Sequence, residues 1–252
     1  MDLTAAIKKP FTNIQALLIG ILLSILPIIS WFAKGFIIKN SGVGKGPSST
    51  NLPDWNDWGD DFAKGFGAFV ICLAYMIPAL IVLIIGAGTL IISMMTIYMG
   101  HVIPIGMMED IAAGTGDEKA LEAIITQNWM QAVPAVLAAA PIILLAILLG
   151  FVALYLVPAA TLRYIATVEF GEAFSVNLVF RKAFSGAYFL AALMSLLVFI
   201  VLGIAVGWIP FLGRAITGFI GGVIAYTLLA QAYNSTGSEE AKPSPVKKSR
   251  KK

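Results

Sequence analysis

The side chains most able to do chemistry cluster in one short stretch, Leu52-Pro53-Asp54-Trp55-Asn56-Asp57-Trp58, followed by Asp60, Asp61 and Phe62. On a helical turn Trp55 and Trp58, three apart, share a face. Asp54, Asp57 and Asp61 follow a 3–4 spacing on a neighbouring face. The first reading of this pattern is an interfacial anchor, with indole rings among lipid headgroups and carboxylates in water. The second is an acidic patch that binds a cation or a basic partner. Hard cations take several carboxylate oxygens, but the stretch contains no recognised cation-binding loop.

The rest of the reactive inventory is thin. The one histidine, His101, falls in an apolar run with Tyr98 on the same helical face. An intramembrane histidine is a candidate site by default, but a structural hydrogen bond between helices is the preferred reading. A single histidine excludes a His-rich metal centre and a triad backed by a second histidine. Gly42, Gly44 and Gly46 alternate without the lysine and hydroxyl of a phosphate loop. Glu109 and Asp110 are adjacent, so they point about 100° apart on a helix and do not form a pair. Arg163 and Glu169 are too far apart to share a face, which leaves Arg163 to reach for anionic headgroups. The lone Cys72 cannot form an internal disulfide. No catalytic residue, metal ligand or cofactor is expected, and the chain reads as non-enzymatic.

Composition explains why so little chemistry is present. Of 252 residues 59% are hydrophobic and 12% charged, and mean hydropathy is +0.89. Soluble domains average about 25% charged residues. The surplus apolar surface must face lipid, so the fold class is an all-α integral membrane protein. A span needs about 20 apolar residues, and six stretches qualify: Ile14 to Ile38, bent at Pro27; Phe66 to Ile85; Thr89 to Met108; Val133 to Pro158; Ala187 to Trp208; and Phe211 to Tyr233. Gly86-Ala87-Gly88 reads as a tight turn between the second and third. The first stretch is too long for the core of a cleaved signal. The five tryptophans fall near span ends or in connections, as headgroup-seeking rings should.

Two connections carry amphipathic patterns. From Thr115 to Met130, a capping-box pair, Thr115 and Glu118, precedes Leu121, Ile124, Ile125 and Trp129 on one face. From Gly171 to Gly186, Val176, Val179, Phe180, Ala183 and Phe184 share a face. Both read as helices lying in the interface, or docked against the bundle. A weak echo at an offset of about 54 residues suggests repeated helix–surface helix–helix units. Gly203 with Gly207, and Gly218 with Gly222, have the spacing that lets helix backbones approach. The organisation is thus an N-terminal segment 1–13, a membrane domain 14–233 and a basic tail 234–252.

Six spans place both termini on one side with eleven of the seventeen basic residues, hence in the cytoplasm by the positive-inside rule. The same count places the Leu52–Trp58 stretch outside. The tail Lys247, Lys248, Arg250, Lys251 and Lys252 lacks aromatic residues for base stacking, so no nucleic-acid partner is expected.

Lys9-Pro10-Phe11, Leu18-Ile19-Gly20, Leu52-Pro53-x-Trp55-x-Asp57-Trp58, Phe62, Gly65, Tyr75 and Pro78 resemble an uncharacterised family of prokaryotic polytopic membrane proteins, catalogued as a domain of unknown function. Pro158-Ala159-Ala160-x-x-Arg163-Tyr164 and Ala173-Phe174 extend the resemblance. The segment from Thr89 to Met130 fits it less well and reads as an insertion. The resemblance implies a bacterial or archaeal plasma membrane and brings no substrate or functional residue with it.

Two functional readings follow. The first is a non-enzymatic membrane protein that organises lipids or partner proteins, self-association included. The second is a transporter or channel for a small or apolar solute, suggested by prolines at 27, 78, 104 and 141. An intramembrane enzyme ranks third. The tail yields one prediction: the peptide from Ser235 onward binds anionic vesicles by about 1 kcal/mol per basic residue near the surface. Raising the salt in a vesicle-flotation assay should release it, and salt-insensitive binding would contradict the electrostatic reading.

Overall fold

The computed structural model describes residues 1–44, 50–100 and 118–236, without the side chains of 98–100 and most of 118–131. Among the described residues all regular structure is helical. In chain order it comprises α1 (Leu3–Lys8), a 3-10 turn (Lys9–Thr12), α2 (Ile14–Leu23), α3 (Ser30–Lys39), α4 (Trp58–Gly100), α5 (Glu118–Thr167), a second 3-10 turn (Phe170–Phe174), α6 (Val176–Ala183), α7 (Gly186–Val206) and α8 (Leu212–Ser235). Four segments are long and apolar enough to cross a membrane: Trp58–Ile97, Ala132–Thr167, Gly186–Val206 and Leu212–Ser235. A fifth exists if Leu3–Thr12 and Ile14–Leu23, bent by 85°, make one broken span.

Three expectations change. The stretch from Ile14 to Ile38 is two ten-residue helices joined by the turn Ser24 to Ile29. Pro27 has no N–H and its ring crowds the carbonyl four residues earlier, which favours a break here, although α4 runs on through Pro78. Ser24 and Ser30 donate their hydroxyls to the Gly20 and Pro27 carbonyls on the two sides of the break. Each helix is about 15 Å long, and α2 lies against α3.

The second change is that Gly86-Ala87-Gly88 is continuous helix inside α4, a single helix of 43 residues. Glycine costs a helix about 1 kcal/mol, but freeing backbone groups in an apolar setting costs several. The Thr89 hydroxyl beside them bonds the Gly86 carbonyl within the continuous helix. Likewise α5 is one helix of 50 residues; of the surface helix expected from Thr115 to Met130, residues 115–117 lie outside the described residues and the rest is the beginning of the helix that follows it.

The chain divides into two compact units. Unit 2, Met76–Ala153, holds the later part of α4 and the earlier part of α5. They run antiparallel, with Gly86 against Ile142 and Ile143, and Leu90 beside Val136 and Ala140.

Unit 1, Met1–Tyr75 and Leu154–Lys252, is built around α8. This is the least apolar of the four spans, yet 72% of its most apolar window is buried, against 11% for α7. Its small residues make this possible. A Cβ on Gly213 would overlap the Val206 carbonyl, one on Gly221 would lie 2.7 Å from the Phe199 ring, and one on Gly222 would lie 3.0 Å from Ile37. Across from it, Gly20 of α2 accepts the Phe219 ring in the space a Cβ would fill. The closest approach is between α3 and α4. A Cβ on Gly35 would overlap the Asp61 carbonyl, and one on Gly65 the Trp31 carbonyl.

Among the glycines singled out by spacing, Gly222 is thus a packing residue. Gly207 faces its own preceding turn at Gly203, and Gly203 and Gly218 have open space where a Cβ would point. Gly35→Leu or Gly65→Leu should therefore part α3 from α4, costing about 1–3 kcal/mol by overpacking. Gly203→Ala and Gly218→Ala should be neutral or stabilising by up to about 1 kcal/mol. Thermal unfolding in detergent checks both halves; equal losses at all four positions would refute this assignment of the contacts.

Candidate functional site

Five contacts gather the polar parts of unit 1 at one end. Lys9 Nζ donates to the Asn40 carbonyl at 2.6 Å. The Leu52 N–H donates to Thr12 Oγ1 at 2.8 Å, and Asn13 Nδ2 to Asp54 Oδ1 at 2.7 Å. The Asp2 N–H donates to Gln231 Oε1 at 2.7 Å, and the Gly44 N–H to Asn234 Oδ1 at 3.0 Å. The beginning of α2, the end of α3, the Leu52–Trp58 stretch, the N-terminal helix and the last turn of α8 therefore lie together. The expectation that Leu52–Trp58 sits on the side opposite the termini is corrected: α2 and α3 go out and back, so the stretch returns to the end it started from.

The site residues take different roles within this collar. Residues 52–57 form no regular structure and α4 begins at Trp58, so Asp54, Asp57 and Asp61 do not share a helical face. Trp55 is buried. Its ring stacks on Phe36 of α3 at 3.9 Å and 11°, and its Nε1 donates to the Ala16 carbonyl of α2 at 3.0 Å. It therefore plugs the open end of the α2–α3 hairpin and is not a headgroup anchor. The N–H found a partner inside the protein, which a buried indole requires. Trp58 is half exposed and packs edge-on against Phe32. Beside them Gln15, Asp54, Trp55, Asn56 and Trp58 line a polar hollow of about 330 Å³.

The carboxylates divide as well. Asn13 caps α2 with Oδ1 and holds Asp54 with Nδ2. Asp61 is 1% exposed, and its Oδ1 lies 2.6 Å from Lys39 Nζ. Asp60 and Asp57 approach the same ammonium at 3.1 and 3.7 Å, and Lys64 meets Asp60 at 2.6 Å. Lys39 thus fills the position among three carboxylates that a bound cation would take. Among the described residues no group of three acidic, histidine or cysteine side chains has the geometry to hold a metal ion. Burial alone would lower the Lys39 pKa. Hydrogen bonding and charge from Asp61 and Asp60 outweigh it and raise the ammonium above its ordinary value.

Sequence reasoning missed Lys39 and the two glycines, although a signal was present. Gly35 and Lys39 are four apart on α3, and Asp61 and Gly65 are four apart on α4. Each pair lies on one face, so the helices meet at the glycines and the charges meet one turn away.

A second staple ties α5 to α6. Arg163 Nε donates to Glu172 Oε2 at 2.9 Å, and Ser175 Oγ donates to the same oxygen. Arg163 therefore has a partner nine residues on rather than a lipid. Those two donors, Arg163 first, hold the Glu172 carboxyl below its usual range. On α6 Val179 and Ala183 are buried while Val176, Phe180 and Phe184 are exposed, so the apolar stripe both docks and faces outward. His101 and the Tyr98 side chain lie outside the described residues.

Removing Lys39 leaves Asp61 buried without its charge partner. Lys39→Met should therefore cost about 3–5 kcal/mol, and adding Asp61→Leu should restore much of it. A raised ammonium stabilises the fold fully below the ordinary lysine value, so the wild type should lose this contribution only as pH rises beyond 10.5. Trp55→Ala should cost about 3–5 kcal/mol, whereas Trp55→Phe loses the Ala16 bond and keeps the stack. Thermal unfolding of the five proteins across pH tests the account; a double mutant no more stable than Lys39→Met would break it.

Comparison with known proteins places the chain once these contacts are drawn. No curated protein and no solved structure matches it. One family model does, described as a protein of unknown function, DUF4013, and it matches residues 18–211. The match takes in α2 through α7, well over half of the sequence, and the chain belongs to the DUF4013 family.

Proposed function

We propose that this is a non-enzymatic lipid-organising protein of a prokaryotic plasma membrane, in which α4, α5, α7 and α8 span the bilayer and α2–α3 dips into one leaflet and returns. The observation that carries the reading is the pinning of both ends of the hairpin to the same collar, by Lys9 on Asn40 and by Trp55 on Ala16 and Phe36. Each arm is about 15 Å long, half of a hydrocarbon core of about 30 Å. The turn between the arms exposes Leu26 and Ile28, side chains suited to lipid and unsuited to water. A hairpin in one leaflet adds area to that leaflet alone, which is a means of organising lipid packing.

Charge supports the orientation. With the collar on the side of the termini, that side gathers Lys8, Lys9, Lys39, Lys45, Lys64, Arg163, Arg181, Lys182 and the six basic residues of the tail. Only Lys119 and Arg214 fall on the other, and Lys34 lies within the hairpin. The bias toward a cytoplasmic collar is stronger than six spans would give. The interior of unit 1 favours this role over solute transport. Its buried hydroxyls at Thr161 and Thr227 donate to carbonyls four residues earlier on their own helices, which leaves neither with a free donor for a solute.

Impermeant maleimide labelling tests the topology. In a Cys72→Ala background, Lys8→Cys and Asn56→Cys should both label only after cells are opened. Labelling of Asn56→Cys in intact cells, with Lys8→Cys protected, would restore a full span and end the hairpin reading. For the function, reconstituted protein should narrow vesicles in electron micrographs, and Leu26→Asn with Ile28→Asn should weaken that effect. Unchanged vesicle shape with wild-type protein would sink it.

A further inference from the structure

A groove in unit 1 runs between α5, α7 and α8. It holds about 380 Å³ and is lined by Tyr155, Pro158, Leu193, Leu196, Phe199 and Tyr226, among others. Its walls are almost wholly apolar, with one exception at its upper end. Tyr188 in the first turn of α7 is 1% exposed, lines the groove, and its hydroxyl has no hydrogen-bond partner. The neighbouring hydroxyls are satisfied: Tyr155 donates to the Ala183 carbonyl and Ser195 to the Ala191 carbonyl. A buried polar group left without a partner is costly, so this oxygen marks a place where a ligand supplies the missing partner.

We infer that the groove holds one acyl chain of a membrane glycerolipid, with the Tyr188 hydroxyl donating to the oxygen that links the chain to glycerol. Length supports this occupant. From Tyr188 to Phe199 the groove follows α7 for eleven residues, about 16 Å, the depth of one leaflet of a hydrocarbon core of about 30 Å. Chemistry supports it too. Tyr188 sits three residues from the Ser185 cap of α7, at the helix end, where the linkage oxygens of a lipid lie. A docked helix from another protein offers no such acceptor, because its carbonyls are already bonded within it.

The inference deepens the lipid-organising reading and rests on it. Purified protein is reconstituted in phosphatidylglycerol vesicles doped with phosphatidylglycerol carrying a diazirine in one acyl chain, and photolabelled positions are mapped by mass spectrometry. Label should concentrate on Leu193, Leu196 and Phe199 relative to the outward-facing Leu197, and Ala192→Phe, which fills the groove, should remove that excess. Tyr188→Phe should lower groove labelling about five-fold, the worth of one hydrogen bond of about 1 kcal/mol. Its thermal midpoint in lipid-free detergent should not fall, because the oxygen removed bonds nothing in the protein. Even labelling along α7, or a Tyr188→Phe variant that labels like wild type, overturns the site. Vesicle narrowing is read on the same samples. Narrowing with even labelling removes the groove and leaves the hairpin reading, and labelled grooves in unaltered vesicles do the reverse.

Discussion

The contact of two backbones at Gly35 and Gly65 fixes unit 1 more than any side-chain pair does. With no Cβ on either residue, α3 lies directly on α4, the Trp31 carbonyl meets Gly65, and the Asp61 carbonyl meets Gly35. Only at that separation does Lys39 reach Asp61 at 2.6 Å. The buried pair is weak evidence for stability, since desolvating two charges offsets most of their attraction. What it does supply is register. Sliding α3 by one turn would strand Asp61 without a counter-charge and put side chains where the backbones touch. The Trp31 ring, beside Phe62, Phe66 and Phe69, extends the same contact along α4.

α8 shows how composition sorts helices when the solvent is lipid. The spans richest in leucine, isoleucine and phenylalanine, such as α7, expose those side chains. The span with the largest share of glycine, four residues in 24, is enclosed. In water the large apolar residues would be inside. In a bilayer they gain nothing by leaving lipid, and close packing of small residues decides which helix is central. Gly221 and Gly222 receive Phe199 and Ile37 for this reason.

Much of the architecture was legible because the apolar surplus admits one solution, helices with every backbone group bonded internally. Counting spans by length failed where length was ambiguous. Ile14 to Ile38 is long enough for one crossing, but Pro27 and two flanking serines convert it into a hairpin of half-length arms. Gly86-Ala87-Gly88 resembles a turn by composition, yet glycine breaks a helix only where something else can bond the backbone. Within the site, the Leu52–Trp58 stretch was found by its residue types. Its role was not, because the partners of Trp55 come from Ala16, Phe36 and Phe219, which are distant in sequence. The spacing of Gly203 and Gly218 pointed outward because a four-residue period specifies a face without saying what lies against it.

The bed on which the hairpin rests is made last. α2 and α3 leave the ribosome within the first 39 residues, and α4 begins at Trp58, so Gly35 and Gly65 are made within 30 residues of each other. α8, which carries Phe219 and Gly222, is complete only at Ser235. At about 5–20 residues per second of synthesis, the hairpin waits roughly 10–40 s with the face meant for α8 uncovered. In the topology proposed above both its ends stay on the ribosome's side, and Asp54, Asp57, Asp60 and Asp61 are then not carried through the bilayer. Biogenesis of this protein is then a matter of holding an N-terminal piece in waiting until the C-terminal helix arrives to seat it.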